Sequence, residues 1–111
     1  MSKYNSKKIA ADGKVFESLR EFNRYRELTL LQYVGKIYDL RCQVEYELIP
    51  PKSGRHRKER GVCYIADFVY KERTEQGDIE VVEDAKGCRT RDYIIKRKLM
   101  LAVHGISIRE V

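Results

Sequence analysis

Two acids and a lysine stand where a strand interior would ordinarily be apolar. Tyr64-Ile65-Ala66-Asp67-Phe68 and, one hairpin later, Val81-Val82-Glu83-Asp84-Ala85-Lys86-Gly87 both read as buried strands. An unpaired buried carboxylate costs several kcal/mol, so such groups come with partners. Oxygen ligands beside a cation suit a hard divalent metal and the hydrolytic chemistry it supports. Strand side chains alternate faces, so Asp84 and Lys86 share a face with Val82, and Asp67 shares one with Cys63, Ile65 and Val69. If Tyr70 pairs with Val81, Asp67 lies opposite Asp84, and opposed residues sit about 5 Å apart at Cβ. Two carboxylates that close repel unless a cation lies between them. A slip of one residue would set Glu83 opposite Asp67 instead. The Asp84-x-Lys86 spacing favours Asp84, because Glu83 faces away from Lys86. A plain ion pair between Lys86 and one acid is the competing reading.

The elements that must position these groups follow from the rest of the chain. It has 111 residues, enough for one domain with a modest core. Residues 1–14 form a polar N-terminal arm and residues 15–111 the domain. Phe16 to Val34 read as a helix ended by Gly35, and Gln43 to Ile49 as a strand stopped by Pro50-Pro51. Residues 51–61 form a loop, strands follow near 62–70 and 79–86, and Lys71 to Asp78 connect them. Thr90 caps a second helix running to His104, with Gly105 at its C-terminal end. Ile106 to Val111 read as a final strand. The order is α-β-β-β-α-β.

Glu21 is the third acid. With Tyr25, Leu28 and Gln32 it falls on one side of the first helix. It also completes a capping box if the helix starts at Ser18. Periodicity alone does not bring it to the strand acids.

The charged content of 36% points to a heavily solvated surface, and the net charge of +6 to a polyanionic partner. Two basic regions could hold it: Lys52, Arg55, Arg57, Lys58 and Arg60 against the single acid Glu59, and Arg89, Arg91, Lys96, Arg97 and Lys98 against Asp92. The second comes directly after the acids and is the stronger candidate. Its bland alternative is an amphipathic helix with Ile95, Leu99 and Ala102 inward. No apolar run is long enough for a membrane helix, and the opening residues lack the apolar stretch of a secretory signal. Three cysteines, Cys42, Cys63 and Cys88, without C-x-x-C spacing read as reduced thiols in a cytoplasmic protein, not as a zinc site. His56 and His104 are isolated, and His104 completes a helix end.

Glu21, then Asp67, then Asp84-Ala85-Lys86, in an α-β-β-β-α-β order, resembles the restriction-endonuclease-like superfamily written PD-(D/E)xK. More closely, the chain is similar to small phage and prophage proteins of unassigned function, with an opening like Lys3-Tyr4-Asn5 and the two cores quoted above. The motif core is also similar to endonuclease I type Holliday-junction resolvases and to the endonuclease subunit of some transposases. The sequence departs in having Ala66 where proline is commoner and Asp84 where glutamate is. The resemblance implies an α/β (α+β) restriction-endonuclease-like fold, a central mixed sheet flanked by helices. It implies a Mg²⁺- or Mn²⁺-dependent endodeoxyribonuclease acting on branched or structured phage DNA in the bacterial host's cytoplasm. Asp67, Asp84, the Ala85 carbonyl and Glu21 would hold the metal, and Lys86 would orient the attacking water. Symmetric junction cutting implies a homodimer. A non-catalytic DNA-binding accessory protein with the same fold is the alternative.

Overall fold

The computed structural model describes residues 8–85 and 89–111. Its order is β1 (Ile9–Ala11), β2 (Lys14–Phe16), α1 (Leu19–Tyr33), β3 (Ile37–Ile49), β4 (Lys52–Ser53), β5 (Lys58–Glu59), β6 (Val62–Thr74), β7 (Gly77–Asp84), α2 (Arg91–His104) and β8 (Arg109–Glu110). The protein is α+β. A mixed four-stranded sheet, ordered β3-β6-β7-β8, lies between two helices, with β8 parallel to β7 and the other pairs antiparallel.

Local chemistry sets the helix ends. Ser18 Oγ accepts from the Glu21 N–H at 3.1 Å, and Thr90 Oγ1 does the same for Tyr93. Gly105 closes α2 in the left-handed conformation, φ 68°. The stripe on α1 faces the sheet, where Leu28 is fully buried beside Phe16, Ile37, Phe68, Tyr70 and Val81. α2 buries Tyr93 and Met100 against Leu48, Tyr64, Ala66, Val69 and Val82. Leu99 packs against the core as expected, but Ile95 and Ala102 do not point inward; both are exposed, and Ile94 packs against the core instead. The stretch Tyr93–Ile94 carries the apolar contact one residue earlier than the expected periodicity.

Several boundaries differ from the sequence expectation. The N-terminal arm is not simply extended: residues 9–16 fold back as the β1–β2 hairpin, turning through Asp12 and Gly13 at positive φ. Phe16 belongs to that hairpin rather than to α1, and its ring packs on Tyr25 at 4.8 Å between centroids. β3 starts six residues earlier than expected, because β6 runs on to Thr74 and offers it a partner. The 71–78 connection is therefore mostly strand, turning at Glu75-Gln76. The final strand is only Arg109–Glu110.

Candidate active site

The site is set by the pairing of β6 with β7. Tyr70 pairs with Val81, Val69 with Val82 and Phe68 with Glu83. Continued by one residue, that register places Asp67 opposite Asp84, and the Ala85 N–H donates to Asp67 Oδ2 at 2.8 Å. Asp84 is almost fully buried and its Oδ2 accepts the Tyr64 hydroxyl at 2.6 Å. Burial first, then that bond and the Asp84 charge, hold the Tyr64 phenol well above the usual tyrosine range. Tyr64 is thus a protonated donor fixing one Asp84 oxygen.

Glu21 enters from α1. The residue is 5% exposed, and its Oε1 accepts the Gln43 side-chain amide at 2.9 Å. Burial, then the Asp67 charge, push its pKa up to about 7, against the lowering effect of the Glu17 N–H and Gln43. Glu21 therefore takes part in the helix start and also faces Asp67 across the α1–sheet boundary. A capping role does not exclude a site role here.

Asp67 lies at a break in strand alternation. Tyr64 and Ala66 pack in the α2 core, whereas Phe68 and Tyr70, also even-numbered, pack in the α1 core. The expected shared face of Asp67 with both Ile65 and Val69 is not kept: Ile65 is 53% exposed and Val69 fully buried. β3 switches at the same level, with Cys42 against the α1 core and Val44 against the α2 core. The residue between them, Gln43, has φ 54°. A non-glycine residue at positive φ costs on the order of 1 kcal/mol and recurs at sites where geometry outranks backbone ease. Here it delivers the amide that holds Glu21.

Glu83 has a different role from Asp84. It is completely buried on the α1 side, where Arg24 clasps it through Nε to Oε1 at 2.8 Å and Nη2 to Oε2 at 2.6 Å. The Tyr70 hydroxyl also donates to Glu83 Oε2. Arg109 donates onward to Tyr70 and to Glu72. The fork holds α1 to β7, three residues after Glu21 and one before Asp84. Sequence reasoning missed Arg24, Gln43 and Tyr64. For Tyr64 a signal existed, since a tyrosine on an apolar strand face brings a hydroxyl needing a partner; for Gln43 and Arg24 there was none.

Lys86 lies outside the described residues, as does Cys88. Among the described residues no three His, Cys, Asp or Glu side chains form a preassembled metal cage. The acids come as a chain instead: Glu21 beside Asp67, and Asp67 opposite Asp84. All are hard oxygen donors, the chemistry Mg²⁺ or Mn²⁺ requires.

The two basic regions differ in how their charges are used. Arg89 and Arg97 both bind Glu110, at 3.0 and 3.1 Å, and Lys96 reaches Asp92 at 3.4 Å. Only Arg91 and Lys98 of that segment lack an acid partner among the described residues. The five cations from Lys52 to Arg60 are all exposed and none has an ion pair there. His104 bonds the Glu47 carbonyl at 2.7 Å, a structural tie from α2 to β3. Among the described residues no helix is long and apolar enough to cross a membrane.

No curated protein and no solved structure matches the chain. Residues 1–107 match the family described as Protein of unknown function (DUF1064), and the chain belongs to that family.

Proposed function

We propose that this protein is a metal-dependent DNA endonuclease with a restriction-endonuclease-like fold, acting on branched or structured DNA as a homodimer. The observation that carries this reading is the opposition of Asp67 and Asp84 on adjacent strands, with Glu21 buried beside Asp67. Three acids gathered at one place accumulate charge that a divalent cation would relieve. Asp67, Asp84 and Glu21, with the Ala85 carbonyl, would hold Mg²⁺ or Mn²⁺. A bound ion would supply charge neutralisation at the scissile phosphate and acidify a water. Tyr64 keeps Asp84 oriented, and Gln43 keeps Glu21 oriented. Lys86, next in sequence to Ala85, would stabilise charge on the phosphate. Net positive charge would draw the polyanion to the surface.

A second reading, a non-catalytic DNA-binding accessory protein, is favoured by the five exposed cations from Lys52 to Arg60, which need no metal to hold a polyanion. One experiment separates them. Purified protein is incubated with labelled duplex, flap, fork and four-way junction DNA with Mg²⁺ or Mn²⁺, beside Asp84→Asn. Cleavage that needs metal and Asp84 supports the nuclease; binding without cleavage under every condition supports the accessory role.

A further inference from the structure

The central hairpin continues past the sheet as a separate arm. β3–β6 pairing ends at Ile49 opposite Val62. Pro50 and Pro51 cannot donate to a ladder, which breaks the sheet there. Opposite them stands Gly61, where a Cβ would lie 2.8 Å from the Ile49 carbonyl oxygen and 3.1 Å from Pro51 Cδ. The break is therefore tightly packed rather than slack, and it sets the direction of the arm beyond it. Pairing resumes as β4–β5, with Lys52 opposite Glu59 and Ser53 opposite Lys58. The tip is closed by the Gly54 N–H donating to the Arg57 carbonyl at 2.8 Å.

This arm has no core of its own. Every residue from 49 to 61 is exposed. A two-stranded ribbon is marginal in water by itself. This one also concentrates five cations against Glu59, so self-repulsion works against it until a polyanion arrives. The 89–98 segment, by contrast, has three of its five cations tied to Glu110 or Asp92.

We propose that the β4–β5 arm is a duplex-DNA clamp whose tip enters the major groove, with Arg55, Arg57 and Lys58 against the flanking phosphates. The major groove, about 12 Å wide, admits a two-stranded ribbon, whereas the minor groove at about 6 Å does not. The inference rests on the DNA reading above and deepens it: the part of the substrate engaged here is a duplex arm, held through its backbone without sequence preference.

The test uses the full chain without divalent metal, so that binding is read apart from cleavage. Fluorescence anisotropy with a short labelled duplex is followed across a salt series for wild type and Arg55→Ala/Arg57→Ala/Lys58→Ala. These side chains are exposed, and thermal melting verifies that the variant keeps the wild-type fold. For each phosphate the variant no longer neutralises, the slope of log K against log salt should fall by about 0.9 and binding should weaken about tenfold near 0.1 M salt. Methyl green, a major-groove ligand, should displace wild type, and netropsin, a minor-groove ligand, should not. Gly61→Val keeps every charge but shifts the base of the arm, and should weaken duplex binding as well. An unchanged slope in the triple variant overturns the arm as an interface. Displacement by netropsin alone overturns the groove assignment. Equal affinity for phosphatidylserine vesicles at the same salt overturns DNA as the partner. Wild type that binds a four-way junction but no duplex overturns the duplex clamp alone, whereas wild type that binds neither fails the DNA reading itself.

Discussion

Glu83→Gln tests which of two neighbouring acids serves the fold. From the strand pattern alone, Glu83→Gln should be milder than Asp84→Asn in every respect. The tertiary structure reverses this for stability. Glu83 is fully buried and accepts both arms of the Arg24 fork and the Tyr70 hydroxyl. Glutamine removes the charge and points an NH₂ at a donor, leaving Arg24 without its buried counter-ion. Breaking one partner of a buried pair costs about 3–5 kcal/mol. The Arg24 side chain is 21% exposed and also pairs with Glu27, so the lower end, about 3 kcal/mol, is expected. For a domain near this size that is a drop of roughly 10–20 °C in melting temperature. Urea unfolding at pH 7 measures it, with an unchanged slope against denaturant showing that the change lies in stability. Arg24→Lys keeps the charge but loses the fork and should fall between wild type and Glu83→Gln. Asp84→Asn keeps an oxygen for Tyr64 and removes one of two opposed charges, so it should melt no lower than wild type by more than a few degrees. Glu83→Gln within about 1 kcal/mol of wild type would refute the claim that the fork holds α1 to β7.

Asp84→Asn and Asp67→Asn should each abolish metal-dependent cleavage while duplex affinity without metal survives, read by a gel assay and anisotropy side by side. Glu21 should make stability fall with rising pH: its folded pKa is raised to about 7 from 4.5, so between those values the folded state holds a proton the unfolded state has released. Each unit in that window then costs about 1.4 kcal/mol at most, with little dependence from this group below or above it; thermal melting without metal from pH 4 to 8 should show the slope in wild type and its loss in Glu21→Gln. Lys96→Ala/Arg97→Ala/Lys98→Ala should change the salt slope of DNA binding by less than the arm variant does, since two of its three cations are engaged by Asp92 and Glu110. Tyr64→Phe should lower stability by about 1 kcal/mol through loss of the buried hydrogen bond to Asp84, checked by denaturant unfolding.

Features decided by local chemistry were legible in the chain before any packing was known. Ser18, Thr90 and Gly105 mark helix ends because their side chains or backbone freedom satisfy end groups within a few residues. The pairing of Tyr70 with Val81 was the register favoured along the chain because side chains alternate with period two and Asp84, unlike Glu83, shares a face with Lys86; that the turn between the strands is only Glu75-Gln76 was not legible there. The order of helices and strands was read from apolar patterns and turn residues, whereas the mixed sheet between two helices was what the family resemblance implied. Other features needed the tertiary structure. The β1–β2 hairpin carries little apolar signal of its own and forms because Phe16 has α1 to pack on. The backbone reversal at Gln43 sets which way Asp67 and its neighbours face, and no residue type at that position announces it. Arg24 and Glu83 lie 59 residues apart. Read along the chain, Glu83 was one more acid beside Asp84; only packing of α1 onto β7 makes one a buried anchor and the other a candidate ligand. Along the chain the 89–98 segment was the stronger of the two basic regions, because it follows the acids; in the folded protein Glu110, brought back beside α2 by the last strand, engages two of its cations. Partnership between distant side chains is a property of the folded surface, and that physical fact sets the limit of the sequence reading.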